Sequence, residues 1–170
     1  GKTALIHAAS NGHNDCIQTL LENSANVDKK DKNGWTALIN AVRRGQPACI
    51  RTLLENGADV NEKDDDGWTA LIFAASWGKK VCIQTLLAKG TNVDETDSLG
   101  KTALMYAAQF GYGPCVRTLL ENGANIDEKD DLGKTALIHA ASNGHNNCIQ
   151  TLLKNGANID ETDNLDKTAL

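Results

Sequence analysis

Aromatic residues are scarce in this chain, with three Trp, two Tyr and two Phe among 170 residues. A core short of rings must be built from Leu, Ile, Val, Ala and Cys, and such a core is thin and regular. Only two prolines stand against fifteen glycines. That balance suits short helices joined by tight turns and argues against a disordered chain. Basic charge is not in excess either: 17 Lys and Arg against 22 Asp and Glu leave a net charge of −5. A nucleic-acid binder driven by phosphate neutralisation needs a basic face, so nucleic acid is not an expected partner. No apolar run approaches the roughly 18 residues of a membrane span, and no membrane partner is expected.

What is present is a repeat. Gly34, Gly67, Gly100 and Gly133 each precede one residue and then Thr-Ala-Leu, at a constant spacing of 33. Gly1 opens the same pattern. Five full units result, 1–33, 34–66, 67–99, 100–132 and 133–165, with residues 166–170 starting a truncated sixth. No insertion or deletion breaks the register, and GKTALIHAASNGHN occurs unchanged in the first and fifth units. Repetition at this period is the mark of a solenoid, in which each unit buries its apolar face only against its neighbours.

Within a unit the pattern predicts two short helices and an extended hairpin. Thr36 is suited to N-cap a helix carrying Leu38, Ile39, Ala41 and Val42, which Gly45 stops. Cys49, Ile50, Leu53 and Leu54 form the apolar stripe of a second helix ending at Asn56-Gly57. Pro47 and Pro114 precede those stripes, where a first-turn proline loses no hydrogen bond. The recurring Asp31, Asp64, Asp97, Asp130 and Asp163 are in phase and read as turn-formers.

The 33-residue period, the Thr-x-Leu start (Thr69, Leu71, Ala74), Gly78, Leu86-Leu87 and the elements NGADVN at 56–61 and NGANID at 122–127 and 155–160 resemble the ankyrin repeat. The resemblance spans essentially the whole chain. It implies an all-α solenoid: a stack of helix–turn–helix units joined by β-hairpin-like loops, forming a single domain over 1–170. Two departures from the family's T-P-L-H-x-A signature recur. Alanine replaces its proline (Ala4, Ala37, Ala70, Ala103, Ala136), and Ile6, Ile39, Ile72, Met105 and Ile138 replace its histidine. Alanine should be harmless there, and the apolar residues should exchange a polar link for packing. The first unit keeps outward apolar residues, so a longer repeat region is expected, of which this chain is a fragment.

In the family, partners are met at the hairpin tips and along the inner face of the first helix, where units differ. Six of the seven aromatics, all but Tyr112, fall on such positions. The expectation is a core without rings and a central aromatic patch of Trp68, Phe73, Trp77, Tyr106 and Phe110. Trp35, Arg43 and Arg44 would extend it, with Lys101 at a tip. The inner helix row, His7, Asn40, Phe73, Tyr106 and His139, is expected to face a partner. Trp, Tyr and Arg are the residues that most often anchor interfaces.

Cys16, Cys49, Cys82, Cys115 and Cys148 also recur every 33 residues. Packed helices lie roughly 8–10 Å apart, beyond the reach of a disulfide between equivalent sites. With no C-x-x-C and no histidine pair at zinc-ligand spacing, the thiols read as small buried core residues. They indicate a reducing, cytoplasmic setting. His13 and His145 are expected to satisfy backbone groups of the turn. No unique polar cluster suggests catalysis, and no metal or cofactor is implied. The expected function is therefore a non-catalytic protein–protein interaction scaffold. Two alternatives are a regulatory arm that docks a catalytic module of the same larger protein, and a stack self-associating end to end through uncapped terminal repeats.

Overall fold

A computed structural model describes residues 1–169. The described residues form ten helices, two per unit: α1 (Ala4–Asn11), α2 (Asn14–Glu22), α3 (Ala37–Arg44), α4 (Pro47–Glu55), α5 (Ala70–Ser76), α6 (Lys80–Leu87), α7 (Ala103–Gln109), α8 (Gly113–Glu121), α9 (Ala136–Ser142) and α10 (Asn146–Lys154). Every odd-numbered helix starts on a threonine whose hydroxyl accepts the amide three residues on, as Thr36 does from Ile39 at 3.3 Å and Thr69 from Ile72 at 3.3 Å. Each such cap contributes about 1 kcal/mol. Helices α1 and α3 end on Gly12 and Gly45 in the left-handed region, while α5, α7 and α9 end one residue earlier, on Trp77, Phe110 and Asn143.

Helices of seven to nine residues are too short to persist alone, so stacking must hold them. Odd-numbered helices pack on the next odd-numbered helix, even on even, and each odd helix on the even one that follows it. The result is two layers with the core between them. The residues at the family's histidine position lie inside it: Ile6, Ile39, Ile72, Met105 and Ile138 are at most 3% exposed. Burying each such side chain contributes about 1.5–3 kcal/mol, which is how apolar packing stands in for the polar link.

The loops between units are tight turns whose flanking residues bond across, Asp31 N–H to Trp35 O and Asp64 N–H to Trp68 O, each at 3.0 Å. Among the described residues they reach β-bridge geometry only at Thr96–Thr102. Gly34 is required: its φ is 75°, and a Cβ there would stand 3.0 Å from the Asp65 amide nitrogen of the next turn. Successive turns are tied by Lys30–Glu62, Lys63–Glu95 and Lys129–Glu161 ion pairs at 2.6, 2.7 and 2.8 Å. The series is interrupted where Thr96 replaces the lysine. Asp163 repeats the turn geometry at the end of the fifth unit, accepting from the amides of Leu165 and Lys167, and the truncated sixth unit follows. Leu170, its last residue, lies outside the described residues.

Two expectations require correction. The core does contain rings, because Phe73 and Tyr106 are 4% and 5% exposed. Cys16 is exposed whereas the other four cysteines are buried, because each of the other four lies on a helix that packs on the preceding even-numbered helix, and among the described residues α2 has none before it.

Candidate partner-binding face

The aspartate of each turn organises this face. In Asp31, Asp64, Asp97 and Asp130, Oδ1 accepts two backbone amides of its own turn, for example Leu99 N and Lys101 N at Asp97, both at 2.9 Å. This use was legible as turn formation. The second oxygen is used differently in each unit, which the in-phase spacing of the aspartates does not indicate. Asp97 Oδ2 accepts from the Tyr106 hydroxyl at 2.6 Å. Asp130 Oδ2 accepts from His139 Nε2 at 2.8 Å, which sets the imidazole as its Nε2–H tautomer. Asp64 Oδ2 accepts from Trp35 Nε1, at the preceding turn, at 3.2 Å. Asp31 Oδ2 is buried with no hydrogen-bond partner.

The inner helix row is consequently not the open contact row expected. Asn40, Phe73, Tyr106 and His139 are buried, and only His7 is exposed. The cause is the aspartate nine residues earlier, which claims the hydroxyl or imidazole in two units, together with a side chain from the preceding unit: Lys2 on Asn40, Trp35 on Phe73 and Trp68 on Tyr106. Asn40 is held by Thr36 O, Lys2 Nζ and Ser10 Oγ. Burial pushes the Tyr106 phenol well above its usual range, and Asp97 adds to the effect. Burial holds His139 below its usual value, against the opposing pull of Asp130. His145 does satisfy a backbone group, but of the preceding unit: its Nε2 lies 2.9 Å from Gln109 O.

The structure brings the sequence-predicted rings into one continuous series. Trp35 contacts Phe73 edge-on, with centroids 5.4 Å apart, and Trp77 at 6.4 Å. Phe73 stacks on Trp77 at 4.9 Å, and Trp68 bridges Phe73 at 4.9 Å to Tyr106 at 4.5 Å. Tyr106 stacks on Phe110 at 6.3 Å. Phe73 and Tyr106 form the buried floor of this series. Trp35, Trp68 and Trp77 are half-buried, and Phe110 is 46% exposed. Cations flank both ends: the Arg43 guanidinium lies 5.2 Å from the Trp35 ring centre, and Lys101 Nζ lies 5.4 Å from that of Tyr106. Arg44 is exposed at the end of α3.

Elsewhere, burial pushes the Cys82 and Cys115 thiols up to about 11. Among the described residues no group of three or more His, Cys, Asp or Glu is arranged to hold a metal ion, and no helix is long and apolar enough to cross a membrane.

Stacked pairs of short helices, with turns projecting from one side and out-of-phase rings along one face, define a helical repeat protein. Family models described as ankyrin repeats (3 copies) match residues 1–64 and 57–130, and one described as ankyrin repeats (many copies) matches 114–153. The chain belongs to the ankyrin repeat family. Among curated proteins none matches it. Ankyrin repeats generally mediate protein–protein interaction, and proteins built of them are typically non-enzymatic.

Proposed function

We propose that this chain is a non-catalytic scaffold that binds a partner protein on the face made by the odd-numbered helices and the turns before them. The ring series from Trp35 to Phe110 supports this reading most strongly. It is the main break in an otherwise repetitive surface, and its half-buried tryptophans lie over a floor that fixes their orientation. Rigid, partly exposed aromatics over a packed base are what interface anchors require. Trp35, Trp68, Trp77 and Phe110 would contact the partner directly, and Arg43, Arg44 and Lys101 would supply flanking charge. Phe73 and Tyr106 would act through the rings they support. The thiols fit a reducing, cytoplasmic setting.

Affinity capture from source-cell lysate tests the reading, comparing the native chain with a Trp77→Ala, Phe110→Ala variant that leaves the floor intact. Circular dichroism verifies folding of both. A partner retained by the native chain and lost by the variant is the expected result. Equal capture by both would move the site away from the rings.

A second reading rests on a different observation. A largely apolar concavity of about 560 Å³ opens on the outer side of α1 and α2, lined by Ala4, Ala8, Cys16 and Leu20 among others. The equivalent Ala37, Ala41, Cys49 and Leu53 are at most 1% exposed beneath the preceding unit. This end accepts another repeat unit, either from a longer array or from a second copy. Mass that rises with concentration in analytical ultracentrifugation, and not after Ala8→Glu, would support end-to-end association.

A further inference from the structure

Between the second and third turns lies a concavity of about 390 Å³ walled by Trp35, Trp68 and Phe73 and rimmed by Asp64, Asp65 and Asp66. Its construction is specific to this junction. The positions of Trp35 and Trp68 are lysine in every other unit (Lys2, Lys101, Lys134, Lys167), and that of Asp66 is leucine in the three units that follow. Asp64 assembles the walls: its Oδ2 holds the Trp35 indole N–H at 3.2 Å, and its Oδ1 accepts the Trp68 amide at 2.8 Å. Asp65 and Asp66 are exposed. Neither carboxylate has an ion-pair or hydrogen-bond partner among the described residues, since the ion pairs of neighbouring turns engage Glu62 and Glu95 instead.

We infer that this concavity takes a cationic side chain, a lysine or arginine from a basic segment of the partner. The reading rests on the partner-binding face proposed above and names the chemistry it would recognise. Indole faces carry negative potential and attract cations, tryptophan most strongly, and the attraction strengthens as water is excluded. Two free carboxylates at the mouth add an attraction that apolar ligands do not share. The same ring series already attracts cations within this chain: Arg43 lies over Trp35 and Lys101 over Tyr106. Arg43 lines the adjoining concavity with Trp77, Lys79 and Tyr112 and is not part of this one. Lys30 feels the charge of Asp64 and Asp65 but is paired with Glu62, so rings and acidic groups meet here with no cation of the chain's own lining the concavity.

The test uses the whole chain labelled with ¹⁵N and three probe peptides of alternating glycine with lysine, arginine or acetyl-lysine. The acetylated peptide keeps the stem and loses the charge. The indole N–H signals of Trp35 and Trp68, assigned with Trp35→Phe and Trp68→Phe, should shift with the lysine or the arginine peptide, and more than that of Trp77. The acetylated peptide should bind about five- to ten-fold more weakly, the size expected of a cation–aromatic contact. An Asp65→Asn, Asp66→Asn variant, altered only at exposed side chains, should weaken binding of the cationic peptide several-fold. Absence of indole shifts at millimolar peptide, or equal binding of the acetylated form, would overturn the inference. A captured partner that the Trp77→Ala, Phe110→Ala variant loses but the Asp65→Asn, Asp66→Asn variant retains would sink this inference while leaving the scaffold reading intact.

Discussion

The Tyr106 hydroxyl donates to Asp97 Oδ2 at 2.6 Å while Asp97 Oδ1 holds two amides of its own turn. One carboxylate thus joins a turn to the helix that follows it. Tyr106→Phe keeps the ring and removes the donor, leaving a buried carboxylate oxygen unpaired. The expected loss is about 1–3 kcal/mol in urea-induced unfolding, with little change in helix content by circular dichroism. An unchanged midpoint would show that the bond contributes nothing net.

The same carboxylate position gives a ranking. Asp31 Oδ2 is buried without a partner, whereas Asp97 and Asp130 each have one. Asp31→Asn loses no hydrogen bond at Oδ2 and keeps the oxygen that accepts the turn amides. It should be the mildest of the three equivalent substitutions, within about 0.5 kcal/mol of the native chain. Asp97→Asn and Asp130→Asn each break a charge-assisted bond and should cost about 1.5–3 kcal/mol. Parallel denaturation curves of the three variants decide the order.

His139 makes stability depend on pH. In the unfolded chain its imidazole titrates near 6.5, while burial holds the native value lower despite Asp130. As pH falls the unfolded state therefore takes up the proton first. The contribution is full above about pH 6.5 and is lost as pH drops through that value toward the native one. Lys101 and Lys134 nearby act in the same direction as burial. His139→Asn, which copies Asn40 of the second unit, should flatten the slope between about pH 7 and 5. An equal slope in variant and native chain would exclude His139 as its source.

Thiol labelling should separate the five cysteines. Cys16 is exposed; Cys49, Cys82, Cys115 and Cys148 are buried, and burial raises the pKa of all four. A small aromatic disulfide reagent at about pH 8 should label one thiol rapidly and the other four only at the rate of opening. Cys16→Ser should abolish the fast phase. Two or more fast thiols would mean that the stack opens further than its packing indicates.

The repeat period, the threonine caps, the first-turn prolines and the two-helix unit were all legible in the sequence, because each is set by local chemistry repeated in phase. Thr36 caps its helix whatever lies beside it, and Gly34 must turn wherever the next unit packs. The ring positions were legible too, as the departures from phase. Their depth was not. Phe73 and Tyr106 occupy the same helical position as exposed His7, yet they are buried, because Trp68 from the turn before α5 contacts both rings. Cys16 and Cys49 are identical in local sequence position and opposite in exposure, since only one has a unit on both sides. The partner of each aspartate's second oxygen likewise depends on what the neighbouring turn brings within reach, so that Asp64 takes an indole from the turn before it while Asp31 takes nothing. Short-range bonds and periodic burial, all encoded locally, are enough to set the unit, its caps and its register. Which rings are floor and which are surface follows instead from side chains 29 to 42 residues apart meeting across the stack.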